Sequence, residues 1–197
     1  MLPDFAIFGA VILVGLTSAF LLVAKDWRFC ILALAFQYVG VFVLVGAFWP
    51  LEMAVAKMVA GWMSGAILGI AMVNAAPTWQ ETDKSVKYGP VFRFLASAIL
   101  ILTIYSLVLH SETWLSMIKT PIRWGSFILL GFGILQLSFT SHPLRVIIGL
   151  LTALSGFEII YAAVETSTLV TGLLAGVNLG LALVGAYILV APAMEST

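Results

Sequence analysis

Residues 149–165 read GLLTALSGFEIIYAAVE, a run apolar enough to lie in hydrocarbon that nevertheless carries a carboxylate, Glu158, near its middle. Apolar runs of about 18 residues or more are read as membrane-spanning helices, and runs of this kind recur along the whole chain. Hydrophobic residues make up 62% of the sequence and charged residues 9%, with a mean hydropathy of +1.16. Soluble domains run at about 45–50% apolar and about 25% charged. The expected fold is therefore all-α, a polytopic helical bundle with the lipid bilayer as its solvent.

Seven spans are predicted, over residues 5–24, 29–48, 51–74, 90–110, 122–140, 144–164 and 168–191. Trp49-Pro50 and Ser141-His142-Pro143 mark tight turns, because proline lacks a backbone donor and restrains the residue before it. The first run has Asp4 in place of a basic cluster and reads as a retained helix rather than a signal peptide. Trp49, Trp79, Trp114 and Trp124 fall near span ends, where an aromatic belt belongs. Basic residues in short loops set the orientation. Lys25, Arg28, Lys84, Lys87, Arg93 and Arg145 fall on one side, Lys119 and Arg123 on the other. This places the N-terminus outside and the C-terminus in the cytoplasm; the membrane itself is expected to be the cytoplasmic membrane of a bacterium or archaeon.

The chain divides into a three-helix unit (residues 1–74), a connecting segment with one helix (75–121) and a second three-helix unit (122–197). Gly61, Gly65 and Gly69 form a small-residue ladder in span three, and Gly172, Gly176 and Gly180 form another in span seven. Both ladders are expected to be packing faces, since van der Waals contact drives much of helix association in lipid. With basic turns before spans two and six, they point to two parallel three-helix units joined by span four.

Nine basic and nine acidic residues cancel, and no basic stripe points to nucleic acid. Cys30 is the single cysteine, so neither a disulfide framework nor a cysteine metal site is available. No catalytic triad, metal-ligand cluster, phosphate loop or nucleotide fingerprint occurs. An active site of its own and a bound cofactor are not expected.

Chemistry rests with polar side chains inside the spans. Glu158 lies 13 residues beyond Arg145, about 20 Å along the helix, so it sits deep in a core about 30 Å thick. A charge there costs at least about 2.5–3.5 kcal/mol. The group must stay protonated, find a partner or sit in a hydrated cavity, and a carboxyl so placed can take up and release a proton. Lys57, about 10 Å into span three from the outer side, is the cationic counterpart. It either snorkels to the interface, pairs with a carboxylate such as Glu52, or joins Glu158 in a working polar axis. Gln37 and Asn178 read first as amides bonding across helices and second as links in a proton path. Glu165 reads as a solvated helix end.

The run LRVIIGLLTALSGFEIIYAAVE with GLLAGVNLGLALVGAYILV resembles the K-type three-helix membrane subunit of NADH-quinone oxidoreductase, respiratory complex I. That family has a basic turn, a helix with a buried glutamate and a small-residue-rich last helix. Arg145 falls on the turn and Gly156-Phe157-Glu158 on the helix, over residues 125–191. The whole layout is similar to the E-type membrane subunit of formate hydrogenlyase and related group 4 hydrogenases, through Arg28, Gln37 and Lys57. The resemblance implies a proton-relay role for Glu158. It also implies a multisubunit complex with antiporter-like membrane partners, related to complex I, group 4 hydrogenases or cation/proton antiporters. The family's second buried acid does not carry over: Asn178 is the nearest polar residue, and an amide does not titrate. A self-contained transporter or channel, and a purely structural scaffold, are the rival readings.

Overall fold

The structure, a computed structural model, describes residues 3–75 and 89–194. Lys84, Lys87 and Trp79 lie outside the described residues. Among the described residues, seven long helices account for the fold: α1 (Asp4–Val23), α2 (Trp27–Val45), α3 (Leu51–Asn74), α4 (Pro90–His110), α5 (Thr120–Phe139), α6 (Pro143–Val164) and α7 (Thr168–Met194). Each is long and apolar enough to cross a bilayer, and the chain is an integral membrane protein. The expected spans hold to within about three residues. The largest shifts, three residues each, are at the end of α7 and at the end of α2, where Gly46 to Phe48 leave the helix for a turn that seats Trp49. Trp49 is buried and donates from Nε1 to the Glu165 carbonyl at 2.9 Å, so it pins two loops together instead of facing lipid. Trp114, by contrast, is 68% exposed at a helix end, as an aromatic belt requires.

Helix ends carry the sequence signals expected of them. Proline stands in the first turn of α4, α5 and α6, where its missing N–H costs nothing. Asp26 caps α2 by accepting from the Arg28 N–H at 3.0 Å. The α1 C-terminus, with its unpaired carbonyls and negative dipole end, is met by two arginines from distant helices. Arg93 donates to Leu22 O at 2.7 Å, and Arg145 donates to Ala24 O. These bonds hold the starts of α4 and α6 against the end of α1.

Helices α1, α2 and α3 lie side by side in that order, and so do α5, α6 and α7. Across the bundle α1 packs on α5, α2 on α6 and α3 on α7, while α4 packs on the flank of α5. Glycines set the closest approaches. A Cβ on Gly156 would fall 2.6 Å from Leu130 N and 2.7 Å from Ser126 O, both backbone atoms of α5. One on Gly40 would fall 2.6 Å from Val14 Cγ1 and 3.3 Å from Ala10 O of α1.

The two expected glycine ladders part company. In α3, Gly61 lies against the Tyr38 ring, and Gly65 and Gly69 face Ile31 of α2. In α7, Gly172, Gly176 and Gly180 meet nothing within 4 Å: that ladder is on the outer surface and grips nothing within this chain. The helix contact that α7 does make closely runs through Gly185, against Ile147 and Leu68. A difference in stability follows. Gly156→Ala costs about 1–3 kcal/mol through overpacking against backbone that cannot move aside. Gly172→Ala is neutral or stabilising, because alanine is the better helix former. Thermal unfolding of the two variants in the same detergent measures this difference.

Candidate functional site: a buried ion pair and its polar string

Lys57 and Glu158 form a salt bridge, Lys57 Nζ to Glu158 Oε2. Lys57 is 2% exposed and Glu158 0%, so the lysine does not snorkel, and Glu52 is not its partner. Their depths agree. Lys57 stands six residues after Leu51, and Glu158 six residues before Val164; each is about 9 Å from the same end of the bundle. The α3–α7 and α2–α6 contacts bring α3 close enough to α6 for the two side chains to meet across the centre.

The pair is held from three sides. Asn178 of α7 donates from Nδ2 to Glu158 Oε1 at 3.0 Å and to Leu174 O at 2.9 Å. Tyr38 of α2 donates its hydroxyl to Asn178 Oδ1 at 3.0 Å. Its ring also lies beneath the ammonium, with Lys57 Nζ 5.3 Å from the ring centroid, a cation–π distance. Gly61 is small because the Tyr38 ring occupies the space a side chain would need. The Tyr38 hydroxyl also interacts with the Ser155 hydroxyl.

A second set of contacts lies beside the first. Gln37 donates from Nε2 to Ser18 Oγ of α1 at 2.9 Å and accepts from Thr152 Oγ1 of α6 at 3.2 Å. Thr152, Ser155 and Glu158 follow at three-residue steps and share one face of α6. Gln37 and Tyr38 are neighbours on α2. These side chains form two adjacent buried sets: Lys57, Glu158, Asn178 and Tyr38 across α3, α6, α7 and α2, and Thr152, Gln37 and Ser18 across α6, α2 and α1. Tyr38→Phe removes one link of the first set, and about 1 kcal/mol of stability should go with it; chemical unfolding in detergent measures the loss.

All four sequence-selected residues of the path (Glu158, Lys57, Asn178 and Gln37) are buried polar groups with partners. The first three form one cluster, while Gln37 joins the neighbouring contacts. Sequence reasoning missed Tyr38, Ser18, Thr152 and Ser155. The signal for Thr152 and Ser155 was their spacing from Glu158; Tyr38 gave none beyond following Gln37. Gln136 is elsewhere, donating to Arg145 O at 3.2 Å. Glu165 accepts from the Ser167 N–H at 3.0 Å and so satisfies a backbone donor beside α7. At the same end of the bundle as the pair, Arg123 joins Ser111, Glu112 and Thr120, and Lys119 pairs with Asp4 at 2.9 Å; both are structural ties between loops and helix ends.

Chemically, the site offers one acid, one amine, a phenol and an amide in a dry setting. The protons of the pair have four arrangements: an ion pair, a neutral pair in which the proton has passed from the ammonium to the carboxylate, a cationic state with both groups protonated and an anionic state with both deprotonated. Among the described residues no group of three or more His, Cys, Asp or Glu side chains is placed to hold a metal ion. Compared with family models, with curated proteins and with solved structures, the chain matches none.

Proposed function

We propose that this chain is a membrane subunit of a multisubunit complex that translocates protons or cations, related to complex I, group 4 hydrogenases or cation/proton antiporters. In it, the Lys57–Glu158 pair is a proton-exchanging element within the bilayer. The observation that carries this reading is the pair itself, completely removed from solvent and bonded onward through Asn178 and Tyr38. Ionisable groups are costly at this depth and are kept chiefly along ion paths. A scaffold requires no ion pair there, since well-packed apolar side chains of similar volume serve as well or better. The resemblance of residues 125–191 to the K-type subunit, with Glu158 at its buried glutamate, supports the same reading.

The subunit is two parallel three-helix units joined by α4. In support, α1 and α5 begin at Asp4 and Thr120, and α2 and α6 at Trp27 and Pro143, each pair 116 residues apart. Close contacts repeat at the same interval: Gly40 against Ala10, Leu13 and Val14, and Gly156 against Ser126, Leu129 and Leu130. Gly69 against Ile31 likewise matches Gly185 against Ile147. The N-terminus is outside and the C-terminus cytoplasmic, because Lys25, Arg28, Arg93 and Arg145 gather at one end of the bundle.

The reading is tested by isolating the chain from its native membrane in mild detergent and reconstituting what co-purifies into vesicles with a pH-sensitive dye. A larger complex that moves ions, and ceases to do so in Glu158→Gln, supports it. A lone chain, or a complex whose Glu158→Gln form still moves ions at the native rate, overturns it.

A further inference from the structure

We infer that Asn178, held in one orientation by Tyr38, reserves one oxygen of Glu158 as an acceptor, so that the carboxyl takes up and gives off its proton only at Oε2, on the Lys57 side. This rests on the reading of the pair as a proton-exchanging element, and it gives Tyr38 and Asn178 positioning roles within that element.

The neighbours of the amide fix which way it faces. Asn178 Nδ2 lies 2.9 Å from Leu174 O and 3.0 Å from Glu158 Oε1. A primary amide has two N–H donors and one acceptor oxygen, so both of its hydrogens are spent. Turning it over would set Oδ1 against two acceptor oxygens with no hydrogen to bridge them. As it stands, Oδ1 lies 3.0 Å from the Tyr38 hydroxyl. An amide oxygen only accepts, so the single phenolic proton is committed to it. The neighbouring Ser155 hydroxyl donates to Leu151 O at 2.9 Å, which leaves the bond from Tyr38 to Asn178 undisturbed. The Tyr38 ring is buried against Gly61, and this packing keeps its hydroxyl on the amide.

Tyr38, Asn178 and Glu158 thus form a one-way sequence in which each group donates to the next, ending on Oε1. A proton placed on Oε1 would face the Asn178 N–H, two donors meeting with no acceptor between them. Oε2 is different. Among the described residues its partner is the Lys57 ammonium alone. There a proton can pass: an Nζ–H bond of Lys57 breaks, an O–H bond forms at Oε2, and the ion pair becomes an amine beside a carboxylic acid. In that state Oε2–H donates to the amine, and Oε1 is the carbonyl oxygen, still accepting from Asn178. Tyr38 borders both halves of the site. Its ring lies 5.3 Å from Lys57 Nζ, and its hydroxyl directs the amide, so Tyr38→Phe keeps the first contact and removes the second.

The test is infrared difference spectroscopy of the complex in native membranes, resting against turnover. A carbonyl oxygen that accepts a hydrogen bond absorbs at lower frequency than a free one. The Glu158 carboxyl band, identified by its loss in Glu158→Gln, should move to higher frequency in Asn178→Leu, which removes the donor with little change of volume. In Tyr38→Phe the amide loses one of its two anchors, and the band should broaden and shift the same way by less. Gln136→Leu, at an amide bonded to Arg145 O away from the pair, should leave the band in place. A band that keeps its wild-type frequency in Asn178→Leu overturns the reserved oxygen while leaving the proposed function standing. Should that variant fail to assemble, Tyr38→Phe, which loses a single hydroxyl, decides by the same criterion. A band that moves in Asn178→Leu but not in Tyr38→Phe overturns the role of Tyr38. A wild-type complex that turns over with no Glu158 band overturns the proposed function and this assignment together.

Discussion

In Glu158→Gln, ion translocation by the assembled complex falls about 100-fold or more, the scale expected when a positioned proton-transfer group is removed. The substitution preserves length and shape, and the amide still offers an oxygen to Lys57 or Asn178. What it loses is the exchangeable proton. Assembly, read on native gels, is retained even though the variant strands Lys57 and loses stability, because the helices around residue 158 also pack through Gly156, Ser126 and Ile159. Glu158→Asp retains the acid on a shorter stem and should restore part of the rate. A scaffold role predicts the opposite pattern, with Gln and Asp variants both active or both unassembled. The initial rate of vesicle acidification or alkalinisation under turnover separates the two.

Lys57→Met has the largest expected effect on stability. Removing one partner of a buried pair strands the other charge and costs about 3–5 kcal/mol. In the double variant Lys57→Met/Glu158→Gln no charge is left behind, and most of that loss returns. The double-mutant cycle should therefore be strongly non-additive, as expected of residues in direct contact. Thermal or denaturant unfolding of the four proteins in one detergent gives the cycle. If the two single losses simply add, the pair is not the electrostatic unit described here.

The bulk of the fold was readable because hydrocarbon selects for length and apolarity, and seven runs satisfy both. The cost of a charge at depth was enough to select Glu158 and Lys57. Their pairing was not readable: they are on helices separated by two others in sequence, and only the stacking of one row on the other brings them together. The glycines show the main weakness of sequence reading in lipid. A helix that is apolar all round carries no polarity difference between its packed and lipid-facing sides. The ladder Gly172, Gly176 and Gly180 thus looks like the ladder Gly61, Gly65 and Gly69, although one faces out and the other packs on α2. Those ladders lie 111 residues apart, whereas the starts of α1 and α5, the starts of α2 and α6, and the matching contacts of Gly40 and Gly156 lie 116 apart.

Infrared difference spectroscopy on the working complex in membranes, recorded with and without turnover, tests the role of Glu158 most directly. A carboxyl signal is expected to appear and disappear as the site gains and loses a proton, and to be missing from Glu158→Gln. A Glu158 that stays in one protonation state throughout turnover, while ions continue to cross, would contradict it.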